Sequence, residues 1–316
     1  MARYLVTGAA GFIGANLVAR LKAQGHWVRA VDVKETPERE HLYSLADEYS
    51  TITDLRERFA AFSAVEGIER VFHLAADHGG AGYFHGDWDF KAALNNQAID
   101  RNILEAALTH DTSRLFFASS ACTYDTATQG KGAEPLREAD WYRGGKSEAL
   151  YGETKRASTL YFEGARDHGH DFRSGIFHTI YGPTQDTEEP RAKFPTAICR
   201  KIIDNPERVE VWGDGTQVRT FLYIDDALDK IQAVMEKPYS GPVNVGSSEE
   251  VTVQECAEYA AEALSAEPEW VYNTDKPTGV EHRSSDNAIW LARYDSKPKV
   301  SAREGFTRLA QWMASP

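Results

Sequence analysis

The run Arg3-Tyr4-Leu5-Val6-Thr7-Gly8-Ala9-Ala10-Gly11-Phe12-Ile13-Gly14 decides the fold. Its first five residues suit a short buried strand, and three glycines follow at intervals of three. An amphipathic stretch comes next, with Leu17, Val18 and Leu21 on one face, and it ends at Gly25. Trp27-Val28-Arg29-Ala30-Val31-Asp32 then reads as a second strand. Strand, glycines, helix and a second strand closing on an acid make a dinucleotide-binding βαβ unit. Gly8, Gly11 and Gly14 serve a tight turn, a close backbone approach to a pyrophosphate, and close helix–strand packing. Phe12 and Ile13 open the helix, whose N-terminus offers N–H groups and partial positive charge to phosphates. Asp32 can accept from the ribose hydroxyls and would repel a 2′-phosphate, so the cofactor expected is NAD rather than NADP.

The alternation continues outward from this unit. Val71-Phe72-His73-Leu74 reads as a strand, about 88–107 as a long helix, and Leu115-Phe116-Phe117-Ala118 as a strand. A helix over about 148–166 and a strand around 172–177 follow. The fold class expected is α/β, a doubly wound parallel sheet with helices on both faces. After Tyr181-Gly182-Pro183 the grain changes, and prolines punctuate short helices and strands. The division predicted is a nucleotide-binding domain of 1–178 plus about 217–246. About 179–216 and 247–316 would form a smaller α/β substrate lobe. No long linker or low-complexity tract separates them, so the two lobes are expected to form one body.

Composition narrows the function. The 316 residues carry 35 basic and 48 acidic side chains, a formal charge of -13. A chain so acidic is a poor partner for nucleic acid or an anionic membrane, although a few local arginines can still capture a phosphate. Cys122, Cys199 and Cys256 are too few and too scattered for a disulfide framework or a zinc cluster, and no metal is expected. No segment reaches the length of a bilayer span. The composition is of a cytoplasmic kind.

Tyr151-Gly152-Glu153-Thr154-Lys155 forms a second constellation. A spacing of four puts Tyr151 and Lys155 on one helix face, where an ammonium can lower the pKa of a phenol and make it a base. The helix follows the strand Leu115–Ala118, which ends in Ser119-Ser120 at the sheet edge where such folds bind ligands. Asp54, after Thr51-Ile52-Thr53, is placed either to reach the adenine or to cap a helix.

With these motifs in view the chain resembles the extended short-chain dehydrogenase/reductases that act on nucleotide sugars. The resemblance runs over nearly the whole chain. It includes Phe72-His73-Leu74-Ala75-Ala76, Tyr181-Gly182-Pro183, Trp212-Gly213-Asp214-Gly215, Arg219 to Asp226 and Val243-Asn244-Val245-Gly246. It implies that Leu74, Ala75 and Ala76 line the cofactor, that Tyr151 is the base on the sugar 4-hydroxyl, and that Lys155 also holds the nicotinamide ribose. Ser120 would assist at the same hydroxyl, and Arg219 and Arg283 would clamp the substrate diphosphate. Ser119, His178, Thr179 and Trp212 would lie against the substrate, with His178 and Trp212 also readable as packing residues. The same resemblance implies a homodimer built through a helical bundle that includes the Tyr151 helix.

The stretch Ser119-Ser120-Ala121-Cys122-x-Tyr124 sets the type of chemistry. Dehydratases of this family carry an Asp-Glu pair after the serine; here Ala121-Cys122 stands instead. The stretch is similar to that of GDP-mannose 3,5-epimerases, as are Asp77-His78-Gly79-Gly80-x-Gly82, the segment Arg191 to Lys201, and Arg283-Ser284-Ser285-Asp286-Asn287. That likeness implies that Cys122 and Lys193 are base and acid on opposite sides of the ring, and that Gly79 and Gly80 let backbone approach the sugar. A thiolate beside NAD⁺ and lysines is expected to have a depressed pKa. The chemistry expected is transient oxidation at carbon 4 and proton exchange at carbon 3, carbon 5 or both, on a GDP-linked hexose or heptose, followed by re-reduction. Thr179, Ile176 and Glu281 depart from the pattern, so the substrate shell is expected to differ. A 4-epimerase would need only Ser120, Tyr151 and Lys155; a 4-keto epimerase/reductase or a catalytically silent NAD-binding regulator are the further alternatives.

Overall fold

The computed structural model describes residues 2–80, 83, 88–188, 191–239, 241–294 and 297–315. β1 (Arg3–Thr7), α1 (Phe12–Ala23) and β2 (Trp27–Val31) form the βαβ unit read from the glycine run. β3 (Glu48–Ser50), α2 (Arg58–Val65), β4 (Arg70–His73), α3 (Trp88–Thr109) and β5 (Arg114–Ser120) continue the alternation. They lead into α4 (Ala149–Asp167) and β6 (Phe172–Phe177). These strands, with β10 (Val243–Val245), make one parallel sheet in the order β10-β6-β5-β4-β1-β2-β3. The order reverses between β1 and β4, which opens the crevice at the strands' carboxyl ends where open α/β sheets bind ligands.

The central strands are apolar on both faces because each face is covered. Leu5, Val71, Leu115 and Phe117 pack with Ile103, Ala106 and Phe162 of α3 and α4. Their neighbours Tyr4, Val6, Phe72 and Phe116 belong to the core on the other face, with Leu17, Val18 and Leu21 of α1. A period-two strand with both sets of side chains buried is what a parallel sheet between helix layers requires.

The second part begins at β7 (Thr179–Tyr181) and α5 (Phe194–Asp204), followed by β8 (Arg208–Trp212) and β9 (Val218–Tyr223). α6 (Ile224–Glu236) precedes β10, and β11 (Glu250–Thr252), α7 (Val253–Ala263) and β12 (Glu269–Asn273) follow it. β13 (His282–Arg283) and α8 (Ala302–Ala314) complete the chain. β9 pairs with β7, β11 and β13, and β8 pairs with β12. The segment 217–246 therefore contributes to both parts: β9 lies in the small sheet, while β10 closes the edge of the large one. Ile198, Cys199, Phe221, Cys256 and Phe306 join the core that covers α1, so the two sheets share continuous apolar packing. Among the described residues no helix is long and apolar enough to cross a membrane.

Candidate active site

The carboxyl ends of β1, β2, β4 and β5 open into a cavity of about 600 Å³ that extends to β8, β9 and β13. Every candidate cofactor, substrate and catalytic residue named above contributes to its wall, apart from those outside the described residues. Gly82 lies outside them. At the cofactor end two glycines are required by geometry. Gly8 has φ +67, and a Cβ there would meet the Ala75 nitrogen at 2.8 Å; a Cβ on Gly14 would stand 2.1 Å from the Gly8 carbonyl oxygen. Backbone cannot yield at such distances, so the turn and the contact with Ala75 exist only with glycine. Gly11 caps α1 without any side-chain cap, and the helix end faces the cavity. Asp32 stands just beyond β2: its Oδ2 accepts from Ala10 N at 2.9 Å and its Oδ1 from Val33 N at 2.7 Å. Burial raises its pKa, and these backbone bonds oppose the rise. Asp54 is paired with Arg56 (Oδ2 to Nη2 2.6 Å) and does not cap α2, whose N-cap is Glu57.

Behind the cofactor end runs a buried polar chain. Thr7 Oγ1 accepts from the Leu74 and Ala75 nitrogens, both at 3.1 Å, and bonds His73 Nδ1 at 2.8 Å. His73 Nε2 lies 3.1 Å from Asp100 Oδ1, and Asp100 Oδ2 lies 3.6 Å from Lys155 Nζ. Asp100 and Lys155 are 3% and 2% exposed. Burial would raise Asp100, but Lys155 and His73 outweigh it and hold the carboxylate charged. Burial pulls Lys155 down and Asp100 opposes it.

The catalytic candidates meet at the end of β5. The Ser119 hydroxyl turns into the packing against α4, bonded to Thr159 Oγ1 at 2.7 Å. Ser120 Oγ accepts from Cys122 N at 3.2 Å and hydrogen-bonds the Tyr151 side chain. A 3₁₀ turn over Ala121–Thr123 delivers Cys122 to the cavity. In the protein alone, both acidities run opposite to the expected direction. Tyr151 is pushed well up rather than down, because burial dominates, Cys122 adds to it, and the Lys155 charge is engaged by Asp100. Cys122 is also raised: burial pushes the thiol up, Arg283 pulls against it, and Glu148 adds to the rise. Glu148 Oε2 sits 3.4 Å from Cys122 Sγ and 2.8 Å from Arg283 Nη1. Lys193 precedes α5 and is lowered by burial, with Cys122 and Asp186 opposing.

The substrate end is lined by paired strands. Arg219 of β9 and Arg283 of β13 are register partners. Arg219 donates to carbonyls, those of Val218 (2.8 Å), Thr278 (3.0 Å) and Val280 (2.5 Å) among them, and burial brings it down to about 10. Arg283 Nε donates to Gln129 Oε1 at 2.6 Å, while its Nη2 is buried with no hydrogen-bond partner among the described residues. His178 is buried with Nε2 3.2 Å from Asn244 Oδ1, and Trp212 donates to Glu210 Oε2 at 3.0 Å. Arg191 Nη1 donates to the His78 carbonyl at 2.8 Å, tying the Gly79-Gly80 loop to the segment before α5. Of the departures, Ile176 is wholly buried with Tyr124 and Trp141, so it is a core residue. Glu281 turns away and accepts from Lys131 N at 2.8 Å. Thr179 lies on the cavity wall.

A family model described as the NAD dependent epimerase/dehydratase family matches residues 4–246. The chain belongs to that family. It is 34% identical over 313 residues to GDP-mannose 3,5-epimerase 1 of Oryza sativa subsp. japonica, an alignment covering 98% of this chain and 81% of the relative. It is 28% identical to GDP-L-fucose synthase 1 of Arabidopsis thaliana, covering 98% and 93%. The fold is shared with a solved UDP-glucose 4-epimerase from Thermotoga maritima, at TM-score 0.88 and 24% identity, covering 98% of each chain.

The NAD dependence of the epimerase/dehydratase family can be tested on this chain's own residues, and they fit. The glycine cradle leaves no room for a Cβ, the uncapped end of α1 faces it, and Asp32 waits at the tip of β2. Arg39, missed in the sequence, lines the same end but commits its guanidinium to Ala10 O (2.9 Å), Thr184 O (2.5 Å) and Asp186 (2.7 Å). It is thereby unavailable for a 2′-phosphate. Glu148 and Asp100 were missed as well. One precedes a helix and the other lies within one, where carboxylates ordinarily face solvent.

Proposed function

We propose that the protein is an NAD-dependent nucleotide-sugar epimerase acting at carbon 3, carbon 5 or both of a GDP-linked sugar, GDP-mannose or a related hexose or heptose. The observation that carries this reading is the meeting, in one cavity, of Ser120, Tyr151 and Lys155 with Cys122 and Lys193. The first three suffice for chemistry at a hydroxyl. The last two add a sulfur and an amine, groups able to move protons at carbon. NAD, held by Gly8, Gly11, Gly14 and Asp32, supplies reversible oxidation of the sugar's 4-hydroxyl when bound.

The chain's own residues do the rest. Tyr151 Oη exchanges a proton with the 4-hydroxyl, with Ser120 bonded to it. Lys155, anchored by Asp100, holds the ribose beside that hydroxyl. A ketone at carbon 4 acidifies the hydrogens on its neighbours, and Cys122 Sγ and Lys193 Nζ exchange them. Arg219, bonded to carbonyls, and Arg283, with its unpartnered Nη2, supply cationic donors for the diphosphate. The same reading includes a homodimer, a second copy covering the apolar side chains that α3 and α4 leave in solvent. Phe90, Leu94, Leu160 and Tyr161 are 65%, 51%, 53% and 70% exposed.

The test is incubation of the protein with GDP-mannose in deuterated water, followed by NMR of the sugar. Deuterium at carbon 3 or 5 is expected, and Cys122→Ser should abolish it while sparing NAD binding. A 4-epimer without deuterium would replace the reading with a 4-epimerase, and turnover only with added NADPH with a reductase.

A further inference from the structure

Arg39 has no part in the chemistry above, yet it gathers three segments at the cofactor end of the cavity. It ends a 3₁₀ turn, Pro37–Arg39, in the loop that follows Asp32, and it is buried. Its Nε donates to Ala10 O at 2.9 Å inside the glycine cradle, while Ala10 N donates to Asp32 Oδ2 at 2.9 Å. Ala10 is thus fixed through both of its backbone groups. Arg39 Nη1 donates to Thr184 O at 2.5 Å and Nη2 to Asp186 Oδ1 at 2.7 Å, both in the stretch after β7. That stretch is strained: Thr184 has φ +68, a left-handed conformation that a β-branched residue rarely adopts. Such strain persists only where neighbours over-determine it, and it gathers at ligand clamps. Here the neighbours are Arg39 and Asn16 of α1, whose Nδ2 donates to Thr184 Oγ1 at 3.1 Å. Gln185, between the two anchored residues, lines the cavity and is 6% exposed. Its Oε1 is buried with no hydrogen-bond partner among the described residues, an acceptor left open for a donor of the bound ligand.

We propose that Arg39 is a positioning residue that clasps the segment 184–186 onto the glycine cradle and retains the bound dinucleotide between them. This rests on the NAD part of the reading above and not on the identity of the sugar. The two halves of the clasp belong to different parts of the molecule. Ala10 follows β1 of the large sheet, whereas Thr184 and Asp186 follow β7 of the small one. A guanidinium suits the task, because one planar cation satisfies acceptors in several directions, and burial keeps water from competing for them. Burial would raise the Asp186 carboxylate, but the bond and charge of Arg39 outweigh it and hold the group below its ordinary value. Thr196 Oγ1 lies 2.7 Å from Asp186 O and 3.1 Å from Lys193 O, so the clasp is continuous with the turn that carries Lys193. In the proposed reaction the dinucleotide is restored within each turnover, and the clasp has no need to open between cycles.

The test reads dissociation of the cofactor rather than turnover. Protein loaded with NADH is mixed with a large excess of NAD⁺, and the decay of bound-NADH fluorescence gives the off-rate. Mixing NADH with cofactor-free protein gives the on-rate. Arg39→Met keeps the length of the stem and removes every donor. Its off-rate should rise at least about tenfold, the worth of one charge-assisted hydrogen bond on the path of escape. The on-rate should stay near that of the wild type, since a clasp acts on escape, whereas a distorted cradle would slow binding as well. Arg39→Lys should fall between Arg39→Met and the wild type. Asp186→Asn keeps an acceptor and removes only the charge, so its off-rate should rise by a smaller factor; it carries the test if Arg39→Met does not fold. An off-rate unchanged in Asp186→Asn and in every folded Arg39 variant overturns the proposal. So does an off-rate raised only together with a slowed on-rate, and neither result touches the epimerase reading. Absence of deuterium from every nucleotide sugar tried would overturn the epimerase reading and leave the clasp standing.

Discussion

Lowering the pH from 7.5 to 5 should cost the folded protein about 2 kcal/mol through His178 alone. Burial holds this imidazole at about 3, against an ordinary value of 6.5, and Asn244 opposes the shift only in part. The sign follows from linkage. A folded pKa below the unfolded one means that the unfolded chain takes up the proton first, so stability is full above 6.5 and declines towards 3. At pH 5 the unfolded histidine is protonated about 30 times over and the folded one hardly at all, which gives RT ln 30, or about 2 kcal/mol. Because pH 5 lies well above 3, the folded imidazole stays neutral over the whole of this range. Buried carboxylates such as Asp32 and Glu163 are raised and act in the opposite sense, so the wild-type profile alone does not isolate His178. The comparison that does is with His178→Gln, whose amide can still donate to Asn244 Oδ1 but does not titrate. Urea unfolding of both proteins at pH 7.5 and pH 5 should show a loss smaller by about 2 kcal/mol in the variant. Equal losses in the two proteins would refute the reasoning, since they would mean that His178 is solvated or already paired in its charged form.

Gly14→Ala would put a Cβ against the Gly8 carbonyl oxygen at 2.1 Å and the Ala9 Cα at 2.9 Å, neither able to move without opening the cradle. NAD affinity by calorimetry should fall by about tenfold or more, that is, by at least about 1.4 kcal/mol. Asp100→Asn leaves Lys155 buried without its anion and should cost about 3–5 kcal/mol of stability, together with most of the activity. Stability within about 1 kcal/mol of wild type by denaturant titration would show the pair to be dispensable. A Leu94→Glu/Leu160→Glu double variant should halve the mass measured by light scattering, and an unchanged mass would place the dimer interface elsewhere.

The features legible in the sequence were local ones. A strand, a glycine at each third position and an acid at the next strand end lie within one βαβ unit, and each has a steric reason that operates over a few residues. Cys122 was singled out instead by the likeness of the stretch Ser119 to Tyr124 to that of GDP-mannose 3,5-epimerases, and it stands two residues beyond Ser120 at a strand tip. The partners that set the chemistry come from far along the chain. Asp100 reaches Lys155 from the middle of α3, where an acid within an amphipathic pattern reads as a solvated side chain. Glu148 reads as an ordinary acid at a helix start, and only the left-handed Ala149 and the approach of β13 turn it onto the sulfur. Segment 217–246 was divided between two sheets for a related reason, since β9 shows in sequence that it is a strand but not which edge it joins.

The same distinction accounts for both acidity corrections. Tyr151 and Lys155 at a spacing of four share a helix face, and that geometry is correct. What the ammonium does there depends on how much water it has lost and on which anion stands closer, and both are properties of the closed cavity. With Asp100 at 3.6 Å, the Lys155 charge is largely answered before it reaches the phenol, so burial decides the direction for Tyr151. Cys122 follows the same logic with Glu148 and Arg283 in the corresponding places. Lys155 and Cys122 are thus each set against a carboxylate contributed by another element, Asp100 for the one and Glu148 for the other. Under the epimerase reading proposed above, such pairing suits a catalyst that finishes in the state from which it began.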